Sequence, residues 1–367
     1  MGRPPPAAGG CASQPGAGGA SSKLFNGLMD TAERLRESWQ LGSLEVPNRV
    51  LLAPLAGIGN WFVRLQAKRY GAGMAVSEMV SSHAIHYRNE KTCTELLRID
   101  ERERAGGPVS IQLFGEDPAV MRSAAAVVAD LGADAIDINM GCPVPKVRRT
   151  GAGAAMLADP DRAVAVARAA VEGGGGVPVT VKLRSGLGPG DESGFELAKR
   201  LVAEGGVAGI GFHPRSAAVH HKGTPDYGLA ARLVAELEAP VILTGGLSDA
   251  EHARAAFEQT GAAAVMLARG ALGNPWLFAR LLGGAEAEPR PDQVRAELAW
   301  TIQRAVEHLG EDRAGRYLRK FYPWYVSRLG LQPGEARSLL ESLQGAPELA
   351  GARALLGLAQ RAELLPV

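Results

Sequence analysis

Short apolar runs rich in Val, Ile, Leu and Ala recur along the chain at 49–54, 74–77, 109–113, 135–138, 179–183, 208–212, 241–243 and 263–267. Each has strand length and is too short for a buried helix. Between most of them lie stretches whose apolar positions fall three and four residues apart, at 61–70, 118–131, 160–172, 194–204, 229–237 and 248–258. Eight strands, nearly all separated by amphipathic helices, predict an α/β fold, a parallel (β/α)8 TIM barrel over residues 44–280. The stretch at 24–40 predicts a short helix of poor periodicity, with the ordered chain beginning at Leu44. Beyond 280 the strand pattern stops. Pro289 and Pro291 mark a linker, and residues 290–367 predict a C-terminal all-helical domain.

A barrel of this kind carries its chemistry at the carboxyl ends of its strands. Pro54, Leu55 and Ala56 end the first strand, Glu78 the second and Gln112 the third. Asn139 and Cys142 follow the fourth, Lys182 and Arg184 the fifth, His213 and Arg215 the sixth. Thr244, Gly245 and Gly246 end the seventh, and Ala268, Arg269 and Gly270 the eighth. Residues scattered in sequence thus form one ring in space. Taken singly, a strand-end lysine reaching solvent accounts for Lys182 and a satisfied barrel histidine for His213. The glycine-rich loops after strands seven and eight each precede a helix, an arrangement in which backbone N–H groups and a helix N-terminus hold phosphate, so a phosphorylated cofactor is expected there.

The fourth loop, Asp137-Ile138-Asn139-Met140-Gly141-Cys142-Pro143-Val144-Pro145-Lys146, sets one thiol, one amide and one lysine on a proline-stiffened tip. Gly141 lets the backbone approach a ligand closely, and the glycines at 151 and 153 either wrap a flat ligand or open a helix. An ordinary βα turn with a buried cysteine is the plain alternative.

Composition narrows the classes. The chain has 367 residues, 46% hydrophobic, with 40 Lys and Arg against 39 Asp and Glu and a net charge of +1. A generally nucleic-acid-coating protein is excluded, so a polyanion would have to meet a local patch. Cys11, Cys93 and Cys142 fit no zinc or disulfide spacing, which suits a reducing compartment. His83, His86, His220 and His221 lack the cysteine or carboxylate partners that would complete a metal site. Residues 1–23, mostly Gly, Ala, Pro and Ser, are expected to be disordered, and no apolar run approaches membrane-spanning length, so a soluble cytoplasmic protein without membrane or metal partners is expected. One local patch exists. Arg313, Arg316, Arg319, Lys320 and Arg328 interleave with Tyr317, Phe321, Tyr322, Trp324 and Tyr325, and the three-residue spacing of the first three aligns their guanidinium groups on one helical face. Phosphate contact with base stacking would use such a stripe, and so would a solvated basic face over an aromatic core.

These residues resemble the tRNA-dihydrouridine synthases, closest to the bacterial DusB-like branch. The resemblance rests on Ala53-Pro54-Leu55-Ala56-Gly57, Ser77-Glu78-Met79-Val80, Ile111-Gln112-Leu113-Phe114-Gly115, the fourth loop through Val147, Val179-Thr180-Val181-Lys182-Leu183-Arg184, His213-Pro214-Arg215-Ser216 and Arg269-Gly270-Ala271-Leu272-Gly273-Asn274-Pro275-Trp276, in family order. It implies a flavoenzyme that uses FMN, with NADPH as electron donor, to reduce the C5=C6 bond of selected uridines in tRNA. By position it implies flavin contacts at Pro54, Leu55, Ala56, Gln112, Lys182, His213, Thr244, Gly245, Gly246, Ala268 and Arg269. It makes Cys142 the proton donor, puts Asn139 and Arg215 on substrate or flavin, and gives Arg313, Arg316, Arg319 and Lys320 to tRNA. Hydride delivery to C6 leaves charge to be quenched at C5, and a thiol, ordinarily titrating near about 8.5, holds its proton at neutral pH yet gives it up readily. Lys182 would steady negative charge on reduced flavin.

Three departures stand out: Thr244-Gly245-Gly246 where the family commonly has Asn-Gly-Asp, Ala268-Arg269-Gly270 for Gly-Arg-Gly, and Leu55 for Met. Two other readings stay open. One is an FMN barrel reductase of a free pyrimidine or similar small molecule, like the dihydroorotate dehydrogenases; the other is an RNA-binding barrel that no longer turns over.

Overall fold

The computed structural model describes residues 31–285 and 287–358. The extension at 1–23, Cys11, the first part of the 24–40 segment and residues 359–367 lie outside them.

Eight strands form the barrel: β1 (Val50–Leu52), β2 (Met74–Val76), β3 (Val109–Phe114), β4 (Ala135–Met140), β5 (Val179–Arg184), β6 (Gly209–His213), β7 (Val241–Thr244) and β8 (Ala264–Leu267). Each pairs in parallel with the next, and β8 pairs with β1, which closes the ring. The helices α1 (Trp61–Arg69), α2 (Pro118–Asp130), α3 (Pro160–Gly173), α4 (Ser193–Ala203), α5 (Tyr227–Glu236) and α6 (Ala250–Thr260) are set among the strands. Their starts are written in the sequence. Asn60, Asp117, Asp159, Asp226 and Asp249 each accept a backbone N–H of the first turn, and Pro118 and Pro160 occupy first helical positions that need no donor. Each such cap contributes about 1 kcal/mol.

The barrel interior is apolar at its amino end and polar at its carboxyl end. Leu51, Met74, Ala135, Ile242 and Ala264 fill the lower layers, plugged from beneath by Trp39, Leu41 and Val46. Those three belong to an antiparallel hairpin, Trp39–Leu41 with Leu44–Val46, turning through Gly42 and Ser43. The expected helix at 24–40 is corrected accordingly: residues 31–36 are helical, but Trp39–Leu41 is a strand.

After β8 the chain is helical: α7 (Trp276–Leu281), α8 (Pro291–Leu309), α9 (Glu311–Leu318), α10 (Tyr322–Val326), α11 (Pro333–Gly345) and α12 (Leu349–Leu355). This region docks on α1 through a buried polar knot, in which Gln66 Nε2 donates to Glu297 (2.7 Å), Tyr325 (2.9 Å) and Thr301 (3.1 Å). Phe62 packs beside Tyr317 and Phe321 in the same contact. The expectation of a stacking platform needs correcting here, because Phe321, Tyr322 and Tyr325 are buried core. They anchor the helices and present no face to a base.

Candidate active site

The carboxyl mouth of the barrel holds a cavity of about 670 Å³. Every barrel residue expected to bind ligand lines it: Pro54, Leu55, Ala56, Gln112, Asn139, Cys142, Lys182, His213, Arg215, Thr244, Gly245, Gly246, Ala268 and Arg269. Arg313, Arg316, Arg319 and Lys320 do not. Arg184, expected at the end of the fifth strand but given no ligand role, also lines the cavity, as do His221, Met79 and Trp324, to which no site role was assigned. Trp324 is the helical region's contribution to it.

Strand register explains the convergence. Side chains alternate in direction along a strand, so every second residue faces inward. Gln112 lies beside Asp137 and Asp137 beside Thr180; one step higher, Asn139 lies beside Lys182, and Arg184 beside His213. Asn139 Oδ1 accepts the N–H groups of Cys142 (2.9 Å) and Gly141 (3.2 Å), folding the fourth loop back on its own strand. Ala154 N donates to Cys142 O at 3.0 Å from the other side. Gly153 takes φ +62°, and a Cβ there would stand 2.8 Å from Cys142 O. The second glycine pair therefore packs against the Cys142 loop and opens a 3-10 turn, Gly153–Ala158. Arg184 closes the frame, donating to Gly141 O (3.0 Å), Ser216 O (3.0 Å) and His220 O (2.7 Å). Cys142 sits half-buried on a loop held from three sides.

The cavity is cationic. Lys182, Arg184, Arg215 and Arg269 line it, and no Asp or Glu does. Burial pulls Lys182 down to about 8 despite the nearby Asp137 carboxylate, which burial in turn pushes up to about 6. Lys182 Nζ has no hydrogen-bond partner among the described residues. Burial first, and then Lys182 and Arg184, keep His213 neutral. Arg215 Nη1 lies 3.3 Å from His213 Nε2, which makes that nitrogen the acceptor. His221 stacks on His213 with centroids 6.2 Å apart and is likewise pulled down, to about 4, by burial and then Arg269.

The loops after β7 and β8 act through backbone. Gly245 has φ +99°, and a Cβ there would meet His213 Cδ2 at 2.3 Å, so only glycine fits. The N–H groups of Gly245, Gly246, Arg269 and Gly270 find no acceptor among the described residues. Among the described residues no group of three or more His, Cys, Asp or Glu side chains is placed to hold a metal, and no helix is long and apolar enough to cross a membrane.

The fold defines the class, a closed (β/α)8 barrel, with its candidate active site at the carboxyl ends of the strands. Among solved structures the barrel is similar to morphinone reductase (21% identity, TM-score 0.53, 71% of this chain and 92% of that one) and to a 2-naphthoyl-CoA reductase (16%, TM-score 0.55, 72% and 53%). At these identities the likeness is one of fold. The family model for dihydrouridine synthase matches residues 51–351. A probable tRNA-dihydrouridine synthase of Rhodobacter capsulatus is 38% identical over 293 residues, covering 78% of this chain and 88% of that protein. The tRNA-dihydrouridine synthase B of Pseudomonas aeruginosa is 36% identical over 312 residues, covering 83% and 91%. The chain belongs to the dihydrouridine synthase family and is an oxidoreductase.

Proposed function

We propose that the chain reduces uridines of tRNA to 5,6-dihydrouridine, with FMN as resident cofactor and NADPH as electron donor. The observation that carries the reading is a cavity that, among the described residues, has four cations and no carboxylate, floored by an ammonium without a hydrogen-bond partner and rimmed by a pinned thiol. Those features fit a flavin mononucleotide. The unpartnered backbone N–H groups of Gly245, Gly246, Arg269 and Gly270 suit its phosphate, and because they act through backbone, the departures at Thr244, Gly246 and Ala268 leave the cradle intact. Lys182 suits the ring edge that gains negative charge. A reduced flavin held there would supply the hydride for C6 of the uracil ring.

The remaining roles belong to the chain's own residues. Cys142 Sγ holds the proton that quenches C5, and the Asn139, Ala154 and Arg184 contacts keep that sulfur in place as charge develops. His213, held neutral, and Arg215 offer polar contact to the ligand without a second proton source. A base reaches this cavity only after leaving its stack. Contact with the RNA backbone falls to exposed cations near the mouth: Arg316 on α9, and Lys146, Arg148 and Arg149 beside Cys142, all without an ion-pair partner among the described residues. Arg313, Arg319 and Lys320, each already bonded within the protein, are the secondary candidates for the same contact.

Stopped-flow absorbance tests the reading. NADPH bleaches the bound flavin, and unmodified tRNA restores its colour while free uridine and UMP do not. Reoxidation by the free pyrimidines at the tRNA rate would transfer the protein to the small-molecule reductases.

A further inference from the structure

Asp137 lies inside the barrel on β4, is 3% exposed and does not line the cavity. It accepts Thr180 Oγ1 on Oδ1 at 2.5 Å and Gln112 Nε2 on Oδ2 at 2.6 Å. An ionised carboxylate only accepts, so Gln112 has to turn its amine toward Asp137 and its carbonyl away. That carbonyl, Oε1, accepts Asn139 Nδ2 at 2.9 Å. Asn139 is thereby left with one orientation, its Oδ1 facing the N–H groups of Gly141 and Cys142. A side-chain amide turned by half a rotation has nearly the same shape, and only its hydrogen-bond polarity differs. Packing alone would not choose between the two orientations; a carboxylate at the head of the chain does.

We infer that Asp137 is a positioning residue that fixes the polarity of Gln112 and Asn139 and, through them, the pose of Cys142. The inference rests on the proposed role of Cys142 for its catalytic consequence, but not for its structural one. Replacing Asp137 by Asn puts a donor where two acceptors stood. The Thr180 hydroxyl can accept that amine as well as donate, whereas Gln112 can meet it only by flipping; wherever Gln112 flips, the change passes to Asn139 and withdraws the acceptor from the Cys142 loop.

The test compares Asp137→Asn, Thr180→Val and the double variant Asp137→Asn with Gln112→Glu in the full chain. Alkylation of Cys142 by iodoacetamide is followed by peptide mass spectrometry, so that Cys11 and Cys93 are counted apart. Asp137→Asn is expected to speed Cys142 alkylation about tenfold and to lower kcat on tRNA at least about tenfold, with KM within about threefold. Thr180→Val removes a hydrogen bond from the same carboxylate but leaves the amide chain alone, and should stay within about threefold of wild type in all three readings. In the double variant the carboxylate introduced at position 112 accepts from both the amide introduced at position 137 and the side chain of Asn139, and the alkylation rate returns to within about threefold of wild type. Wild-type Cys142 reactivity in Asp137→Asn, equal effects of Asp137→Asn and Thr180→Val, or no recovery in the double variant would each overturn the inference. Should Asp137→Asn not accumulate folded, the double variant decides alone: folded with wild-type Cys142 reactivity supports the inference, unfolded or fast-reacting opposes it. Failure of the wild-type protein to reduce tRNA, with these alkylation rates as expected, counts against the proposed function and leaves the positioning role standing.

Discussion

Two regions of this chain are rich in cations, the barrel mouth and the segment around α9, and their charges face different things. In the mouth, Lys182 and Arg269 have no hydrogen-bond or ion-pair partner among the described residues, and Arg184 and Arg215 bind backbone carbonyls, with Arg215 also beside His213. Around α9 the charges are mostly spent within the protein. Arg313 pairs with Glu95 at 2.7 Å, Arg319 donates to Ala346 O at 3.1 Å, and Lys320 donates to Gly57 O at 3.0 Å and lies over the Tyr317 ring. Only Arg316 of that stripe is unpartnered among the described residues. A count of basic residues treats the two regions alike. Partners separate them: uncompensated charge waits for a ligand, and compensated charge holds two parts of the fold together.

The comparison can be broken most severely at the mouth. Cys142→Ala should lower turnover by about 10²–10⁴-fold while flavin content and tRNA affinity stay near wild type, checked by single-turnover kinetics and a filter-binding isotherm. Lys182 offers a pH test whose sign can be worked out. Burial lowers its folded pKa to about 8, against about 10.4 in the unfolded chain, so the unfolded state holds more protons between those values and stability rises as pH climbs through that window. Denaturant midpoints of flavin-free protein should show that rise, and Lys182→Met should reduce it to the share left by Lys68, which burial likewise lowers to about 8. Asp137 works in the opposite sense at lower pH. Its folded pKa, near 6, exceeds the ordinary value of about 3.9, so the folded state holds more protons there and stability falls as pH rises from about 4 to 6.

Smaller effects sharpen the contrast on the RNA side. Reversing Lys146, Arg148 and Arg149 together should weaken tRNA binding about 10–100-fold and flatten its salt dependence, since each lost phosphate contact removes part of that slope. Arg316→Glu should do the same to a lesser degree. Arg313→Ala, which loses an exposed ion pair, should cost no more than about 1 kcal/mol of stability and leave the salt slope within error. Equal salt slopes for Arg313→Ala and Arg316→Glu would dissolve the distinction drawn between paired and unpaired charge.

Much of this was legible in the sequence. Eight apolar runs and their helix caps encode the barrel directly, and residues just past each strand meet in the cavity because the fold brings all carboxyl ends together. The hairpin at Trp39–Val46 was hidden because its strands are three residues long, although Gly42-Ser43 between apolar residues is a turn signal. Asp137 was hidden inside a mostly apolar run. Its meaning lies in register with Gln112 and Thr180 on neighbouring strands, which a single strand does not display. The partners of the α9 stripe were hidden too. Spacing aligned the arginines, but nothing local announces Glu95 or the Ala346 carbonyl as their partners.

The most direct test of the central claim is nucleoside mass spectrometry on unmodified tRNA incubated with the purified protein and NADPH, beside a Cys142→Ala control. The account predicts a two-hydrogen mass gain on uridine with the wild-type chain and none, or only a trace, with the control. A bound, reducible flavin without any mass gain on uridine, or an equal gain in the control, would contradict it.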